Sequence, residues 1–379
     1  MALVVATGAS GVSSGGTITT IAGSDKGVFS GDGGSFAAGA APVTSAPTLR
    51  TATSGVLAVS RLGKTGSLKP AKIVVVADAD GRGSRVLTTG WLSYVSPDGM
   101  QIAVVDSDVN WFTKQRLELY ATSGGAPRRV IPLRCGHVYW SPDSTRLACV
   151  EVVRAGKPER LRLIDAESGT KTTLANGFFD DQVSFSPDST QLAYVRFPSD
   201  SAVSSRATLN VIDLATRTVK TVRSGRVSAP VWGPTEIAFA TRSPRGRNYS
   251  YDYTFDVALI QPDGSGFRQV TSFRPTAELY GPYPVAWSAD GTRLLAGMRG
   301  QDAWVYRESY AVDPTRGGVR LIAHSVSPSV LTRDGRFVIG QTGDAESTGL
   351  HRSNVVRVPW AGGTKRILLR QAVAPSSNG

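Results

Sequence analysis

The stretch WSPDSTRLACV, Trp140–Val150, is rewritten 45 residues later as FSPDSTQLAYV, Phe185–Val195. A packed core does not require such repetition, whereas a chain assembled from copies of one small unit does. Stepping outward in strides of about 45 residues finds further copies. They are YVSPDGMQIAVV from Tyr94, VWGPTEIAFA from Val231, AWSADGTRLLAG from Ala286 and VLTRDGRFVIG from Val330. LRTATSGVLAVS, from Leu49, occupies the first slot without the Pro-Asp pair.

Each copy follows one grammar. A short apolar strand enters a tight turn, where Pro presets φ and Asp with Gly or Ser supplies turn hydrogen bonds and positive φ. A second strand leaves, as in RLACV or QLAYV. A loop of variable length leads to a third strand, such as RLRLIDAESG or TLNVIDLATR, and a Gly- or Asp-rich turn brings a fourth, such as TKTTLAN or VKTVRSG. Four short antiparallel strands in units of this length predict an all-β fold, a β-propeller of four-stranded blades. Seven copies predict seven blades, with six as the alternative because the first copy is degenerate.

The aromatic–SPDG turn, the IAF-like strand after it and the φxφID-like third strand resemble the TolB-like, WD-type β-propeller repeat over roughly residues 49–371. The resemblance implies a propeller used as a scaffold for protein contacts at a bacterial envelope, in a periplasmic or extracellular setting. A separate stretch, GTITTIAGSDKGVFSGDGG (Gly16–Gly34), resembles a single NHL-type repeat, and Gly/Ala/Ser-rich sequence follows it to Pro47. Residues 1–48 are therefore expected to be a poorly ordered segment and linker, and residues 372–379 a flexible tail.

The composition is that of a folded chain: 379 residues, 41% hydrophobic and 19% charged, with 41 Gly and 21 Pro favouring strands and turns over long helices. The net charge of +12 points to acidic partners or to a merely solvated basic surface. The N-terminus lacks an early Lys or Arg and a long apolar run, so no signal peptide is expected, nor any membrane insertion. Cys135 and Cys149 lie either side of a predicted hairpin; two buried thiols are the simpler expectation, and a bridge is conceivable.

Catalytic signatures are weak. Gly11-Val12-Ser13-Ser14-Gly15 spells GxSxG but lacks the strand and helix that a nucleophile elbow needs. TolB-like propellers also occur joined to serine peptidase domains, but these repeats run almost to Gly379 and leave no hydrolase domain to expect. His137, His324 and His351 belong to different copies and are expected to be solvated or satisfied. Asp106-Ser107-Asp108-Val109-Asn110 begins like a calcium loop, yet Trp111 and Leu117 stand where Gly and a bidentate Glu belong. Asp78 and Asp80 before Gly81 read as a turn. No catalytic residue, metal site or cofactor is therefore assigned.

Length variation is the remaining signal. The turns joining strands one and two, and three and four, are short. The loops on the opposite face are long and rich in rings and cations, which favours recognition there. The expected partner-binding residues are Trp111, Lys114, Arg242, Arg245, Arg247, Tyr249, Tyr251, Tyr253, Tyr280, Trp304 and Arg307. The reading is a monomeric, non-catalytic scaffold that binds a protein or polyanionic partner through that loop-bearing face. Two alternatives stand: a propeller enzyme of lyase or lactonase type with its site at the central channel, and a charge-driven binder of nucleic acid or acidic glycan.

Overall fold

The computed structural model describes residues 55–63, 71–90, 92–107, 115–153, 157–199, 206–242, 255–273, 279–300, 306–343 and 353–377. Every regular element among them is a strand, and every pairing is antiparallel. The first sheet holds β1 (Val56–Gly63), β2 (Ala71–Asp78) and β3 (Arg85–Thr89). The second holds β4 (Leu92–Val95), β5 (Gln101–Ser107), β6 (Gln115–Ala121) and β7 (Arg129–Pro132). Next come β8 (Tyr139–Trp140), β9 (Arg146–Glu151), β10 (Glu159–Asp165), the long β11 (Lys171–Phe185), β12 (Gln191–Phe197), β13 (Ala207–Asp213) and β14 (Val219–Gly225).

Three more groups of four follow. They are β15 (Val227–Trp232), β16 (Ile237–Arg242), β17 (Phe255–Ile260) and β18 (Arg268–Gln269); β19 (Leu279–Trp287), β20 (Leu294–Gly300), β21 (Tyr306–Val312) and β22 (Val319–His324); and β23 (Ser327–Leu331), β24 (Phe337–Thr342), β25 (Asn354–Pro359) and β26 (Arg366–Arg370). The last strand, β27 (Ala372–Ser377), returns to pair with β1, giving the order β27-β1-β2-β3.

The segment expected to be a flexible tail is thus, over Ala372–Ser377, the inner strand of the first sheet. That explains why the first copy lacks a Pro-Asp turn: its first and second strands come from opposite ends of the chain. The strand β11 is shared. Its residues up to Gly177 pair with β10, and those from Phe178 pair with β12, so two four-stranded units run into one seven-stranded sheet.

Burial follows the radial position of each strand. Second strands have apolar neighbours on both faces: Leu147, Ala148, Cys149 and Val150 of β9 are all buried. Such a strand reads as a continuous apolar run. Fourth strands have one side in water; of β14 only Val222 is buried. The core lies between sheets. Ala148, Val150 and Leu161 pack on Val183, Phe185 and Leu192, and Val355, Leu368 and Leu369 of the last sheet pack on Leu57, Val59 and Val75 of the first. The ring is therefore closed both by hydrogen bonds and by packing.

The repeated turn owes its recurrence to a local network. Ser96 donates its hydroxyl to Asp98 Oδ1 (2.5 Å) and accepts the Gln101 amide (2.9 Å), while Asp98 Oδ1 also accepts the Met100 amide (2.9 Å). Ser141–Asp143, Ser186–Asp188 and Ser288–Asp290 repeat it. In two copies the turn also reaches its neighbour. The Asp98 amide donates to Ser144 Oγ (3.0 Å), and the Asp143 amide to Ser189 Oγ (3.1 Å). Ser144 and Ser189 sit at φ 60° and 62°, where the other copies place Gly99, Gly291 and Gly335. Serine accepts a strained backbone there, and its hydroxyl latches the previous sheet.

Candidate functional site: the turn side of the central channel

First strands of neighbouring sheets line the axis of the ring, and β4, β8 and β11 end in SPD turns while β15 ends in the degenerate turn at Gly233. At that end a cavity of about 330 Å3 opens between four of them. Its wall is Tyr94 and Val95 from β4, Tyr139 and Trp140 from β8, Ser184 and Phe185 from β11, and Trp232 from β15, with Pro142 at the lip. These residues recur at equivalent places of successive copies, which is why four separate strands bring them together. Among the described residues, no Lys, Arg, His, Asp or Glu lines the cavity.

The polar edges of two rings are tied back into the wall. The Trp140 indole N–H donates to the Tyr94 carbonyl (2.9 Å). Tyr94 Oη lies 2.7 Å from His137 Nδ1, and the Val138 amide donates to that same oxygen. Nε2 faces Asp181 Oδ2 at 3.9 Å, which favours the tautomer with hydrogen on Nε2 and so assigns the phenol proton to the contact with Nδ1. Burial holds His137 neutral, lowering its pKa to about 4, and burial together with Asp181 raises that of Tyr94 far above the usual phenol range. Trp232 is set by its amide, which donates to Ser184 Oγ (2.9 Å). Further along the channel the buried Asp180 accepts from the Ser228 hydroxyl (2.7 Å) and the Ala229 amide (3.1 Å).

His137 thus answers the expectation of a satisfied histidine, and His324 does so through Glu308 (2.6 Å); His351 lies outside the described residues. Cys135 and Cys149 form a disulfide (Cα–Cα 6.0 Å), where two buried thiols were expected. The correction follows from position: Cys135 bridges to Glu151, beside the strand that carries Cys149. Asp78 accepts the Asp80 (3.1 Å) and Arg82 (2.7 Å) amides, as its reading as a turn requires. Among the described residues no group of three or more His, Cys, Asp or Glu comes together as a metal site would need. No described helix is long and apolar enough to cross a membrane.

The loop-side set is placed only in part. Trp111, Lys114, Arg245, Arg247, Tyr249, Tyr251, Tyr253 and Trp304 lie outside the described residues, as do the NHL-like stretch and the GxSxG letters. Arg242 is exposed at the end of β16. Tyr280 and Arg307 were expected in loops, but their backbones belong to β19 and β21. Sequence reasoning missed the turn-side cavity. Its one available signal was the aromatic that precedes the turn in several copies, namely Trp140, Phe185, Trp232 and Trp287.

The basic residues have a different location and use. Arg129 on β7 donates to the Glu167 carbonyl of the next sheet's third-to-fourth turn (2.6 Å). Arg268 reaches Pro314 O in the same way (2.8 Å), Arg320 reaches Trp360 O (2.8 Å), and Arg85 reaches Thr122 O. Arg223 lies over the Phe267 ring at 3.8 Å, and Arg357 pairs with Asp80 at 2.6 Å, joining the last sheet to the first. These cations clasp the rim.

No protein-family model matches the chain, and no curated protein matches it in sequence. Solved structures do. TolB from Acinetobacter baumannii is 16% identical, with 85% of this chain and 82% of that one covered and a TM-score of 0.53. An oligogalacturonate lyase in complex with manganese is 15% identical over 83% and 84% of the two chains, at 0.53. A puromycin-hydrolysing peptidase from Mycobacterium tuberculosis is 18% identical over 79% of this chain and 50% of that one, at 0.55. One fold is therefore shared by TolB, a lyase and a peptidase, and likeness at this level speaks for the fold alone. The closed ring of antiparallel sheets and these likenesses together give the chain a β-propeller fold similar to that of TolB.

Proposed function

We propose that the chain is a non-catalytic binding propeller of seven blades that holds a partner protein at the turn side of its channel. The observation that carries this reading is the chemistry of the cavity wall. It is made of rings, aliphatic groups and hydroxyls; its described titratable groups are the phenols of Tyr94 and Tyr139, and that of Tyr94 is bonded to a neutral buried histidine. Such a wall supports recognition; acid–base or metal-assisted chemistry needs groups poised to exchange protons or bind ions. The seven-blade count is supported by the division of β11 between two four-stranded units. The turning of several described rim arginines toward carbonyls weighs against a surface built for polyanions. A disulfide favours an oxidising compartment, in keeping with the envelope setting that the sequence resemblance implies. The loop-side residues, Arg242 among them, are retained as a second contact surface.

The test is retention of partners by the immobilised full-length chain from envelope extracts and from a panel of anionic polymers, at low and high salt. We expect a protein partner that survives high salt and is lost by Tyr139→Ala/Trp232→Ala. A variant with Arg242, Arg245, Arg247, Tyr249, Tyr251 and Tyr253 changed to Ala should weaken it less. Retention that is unchanged in the cavity variant, or confined to polymers at low salt, overturns the reading.

A further inference from the structure

We infer that the turn-side cavity takes the guanidinium of an arginine presented by the partner protein. This rests on the binding reading above and specifies the ligand of the same site. Three features point to a cation. First, Tyr94, Tyr139, Trp140, Phe185 and Trp232 contribute five aromatic side chains to one cavity of about 330 Å3. Aromatic faces carry negative charge density, and a cation held against several of them is attracted most when it is desolvated. Second, the indole N–H of Trp140 and the hydroxyl of Tyr94 are bonded away into the wall, to a carbonyl and an imidazole. What these two side chains can offer a ligand is therefore ring surface rather than hydrogen-bonding edges.

Third, the turns that follow the lining strands carry charge complementary to a cation. Each strand that supplies Val95, Trp140 or Phe185 runs on into a turn whose aspartate is exposed: Asp98, Asp143 and Asp188. Asp143 directly follows Pro142, which itself lines the cavity. Within these turns, residues 96–101, 141–146 and 186–191, Arg146 is the one Lys or Arg. Its guanidinium is already held by the Ser189 carbonyl (2.6 Å) and Asp143 (3.5 Å). The sector thus combines an aromatic wall with exposed aspartates in the turns that follow it, on a chain whose overall charge is strongly positive. An arginine fits this better than a lysine because its planar cation stacks on rings and its N–H fork reaches carboxylates at the same time.

The experiment uses the full chain labelled with 5-fluorotryptophan. The Trp140 and Trp232 signals are assigned from single Trp→Phe variants, and the protein is titrated with capped Gly-Arg-Gly. The same tripeptide with citrulline keeps the shape and loses the charge, and one with norleucine keeps only the apolar stem. We expect both tryptophan signals to move with the arginine peptide, with affinity about tenfold above citrulline. Asp143→Asn keeps an oxygen to hold the turn while removing charge; with an unchanged melting temperature it should weaken the arginine peptide and leave the norleucine peptide unaffected. Equal or tighter binding of citrulline or norleucine overturns the inference while leaving the cavity as a partner site. If no peptide moves either signal, the inference fails, and the capture experiment with Tyr139→Ala/Trp232→Ala decides separately whether the wider reading fails with it.

Discussion

The two ends of each sheet solve different problems with different residues. At the axis, first strands crowd together, and contacts between them are short-range and specific: Trp140 to the Tyr94 carbonyl, Trp287 to the Val231 carbonyl (3.1 Å), Tyr94 to His137. At the rim the sheets splay apart, and long flexible cations span the gap to the next turn, as Arg129 and Arg320 do. Buried polar contacts are costly to break because the orphaned group has no water to turn to. Exposed ones exchange with solvent at little cost. Substitutions near the axis should therefore be severe and those at the rim mild, and several rim arginines act as fasteners between sheets.

The largest effect is expected from the axial disulfide. Cys135→Ser/Cys149→Ser, or reduction of the native chain, should cost about 3 kcal/mol, the figure for a closed loop of this size. Urea unfolding with and without reductant measures it, and a loss below about 1 kcal/mol would show that packing alone holds this sheet. Next is acid sensitivity at His137. Its pKa in the fold is about 4 against 6.5 for the free side chain. Between those values the unfolded chain binds the extra proton, so stability is complete above pH 6.5 and declines as pH falls toward 4. The decline is about 3 kcal/mol at most from a shift of this size. His137→Gln should flatten melting temperature over that window, at the cost of some stability at neutral pH. The turn aspartates act lower: hydrogen bonds from the Ser288 hydroxyl and the Thr292 amide bring the Asp290 pKa to about 2, and that support disappears only as pH falls from the usual carboxylate range through that value.

A steric prediction sharpens the same contrast. In Gly233 the degenerate turn carries a residue whose absent Cβ is the point. An added methyl would meet the Trp287 ring at 2.7 Å, and that ring is anchored by its indole bond to Val231. Gly233→Ala should destabilise by about 1–3 kcal/mol, the usual range for overpacking. Near-ultraviolet circular dichroism should report the displaced indole.

How much of this could be read in advance depends on whether the signal was local. The SPD turns were legible because a serine, a proline and an aspartate within three residues set their own hydrogen bonds. Ring closure was not, because β27 and β1 are separated by nearly the whole chain and neither carries the turn that would pair them. The cavity was hidden for a related reason: Tyr94, Trp140, Phe185 and Trp232 each read as the ordinary end of a buried strand, and only the ring brings them together. Rings and cations in the long loops drew attention through composition, whereas the rim arginines passed as solvated charge although their partners, backbone carbonyls, have no sequence signature at all.

The mildest prediction tests the latch and the clasp against each other. Ser144→Gly relieves a positive φ while removing the hydroxyl that accepts the Asp98 amide. The two terms oppose, so the net change should stay within about 1 kcal/mol. Arg129→Met keeps the stem and removes the clasp to Glu167; with the guanidinium and its carboxylate neighbour (3.7 Å) both open to solvent, the loss should be about 0.5 kcal/mol or less and should grow only slightly at low salt. The double variant is informative because both bonds fasten the same sheet to its neighbours, one near the axis and one at the rim. If the two losses add, each fastening acts alone. A surplus of more than about 0.5 kcal/mol would mean that axis and rim hold the sheet as one rigid unit, so that a ligand seated at the axis could alter the exposure of the rim.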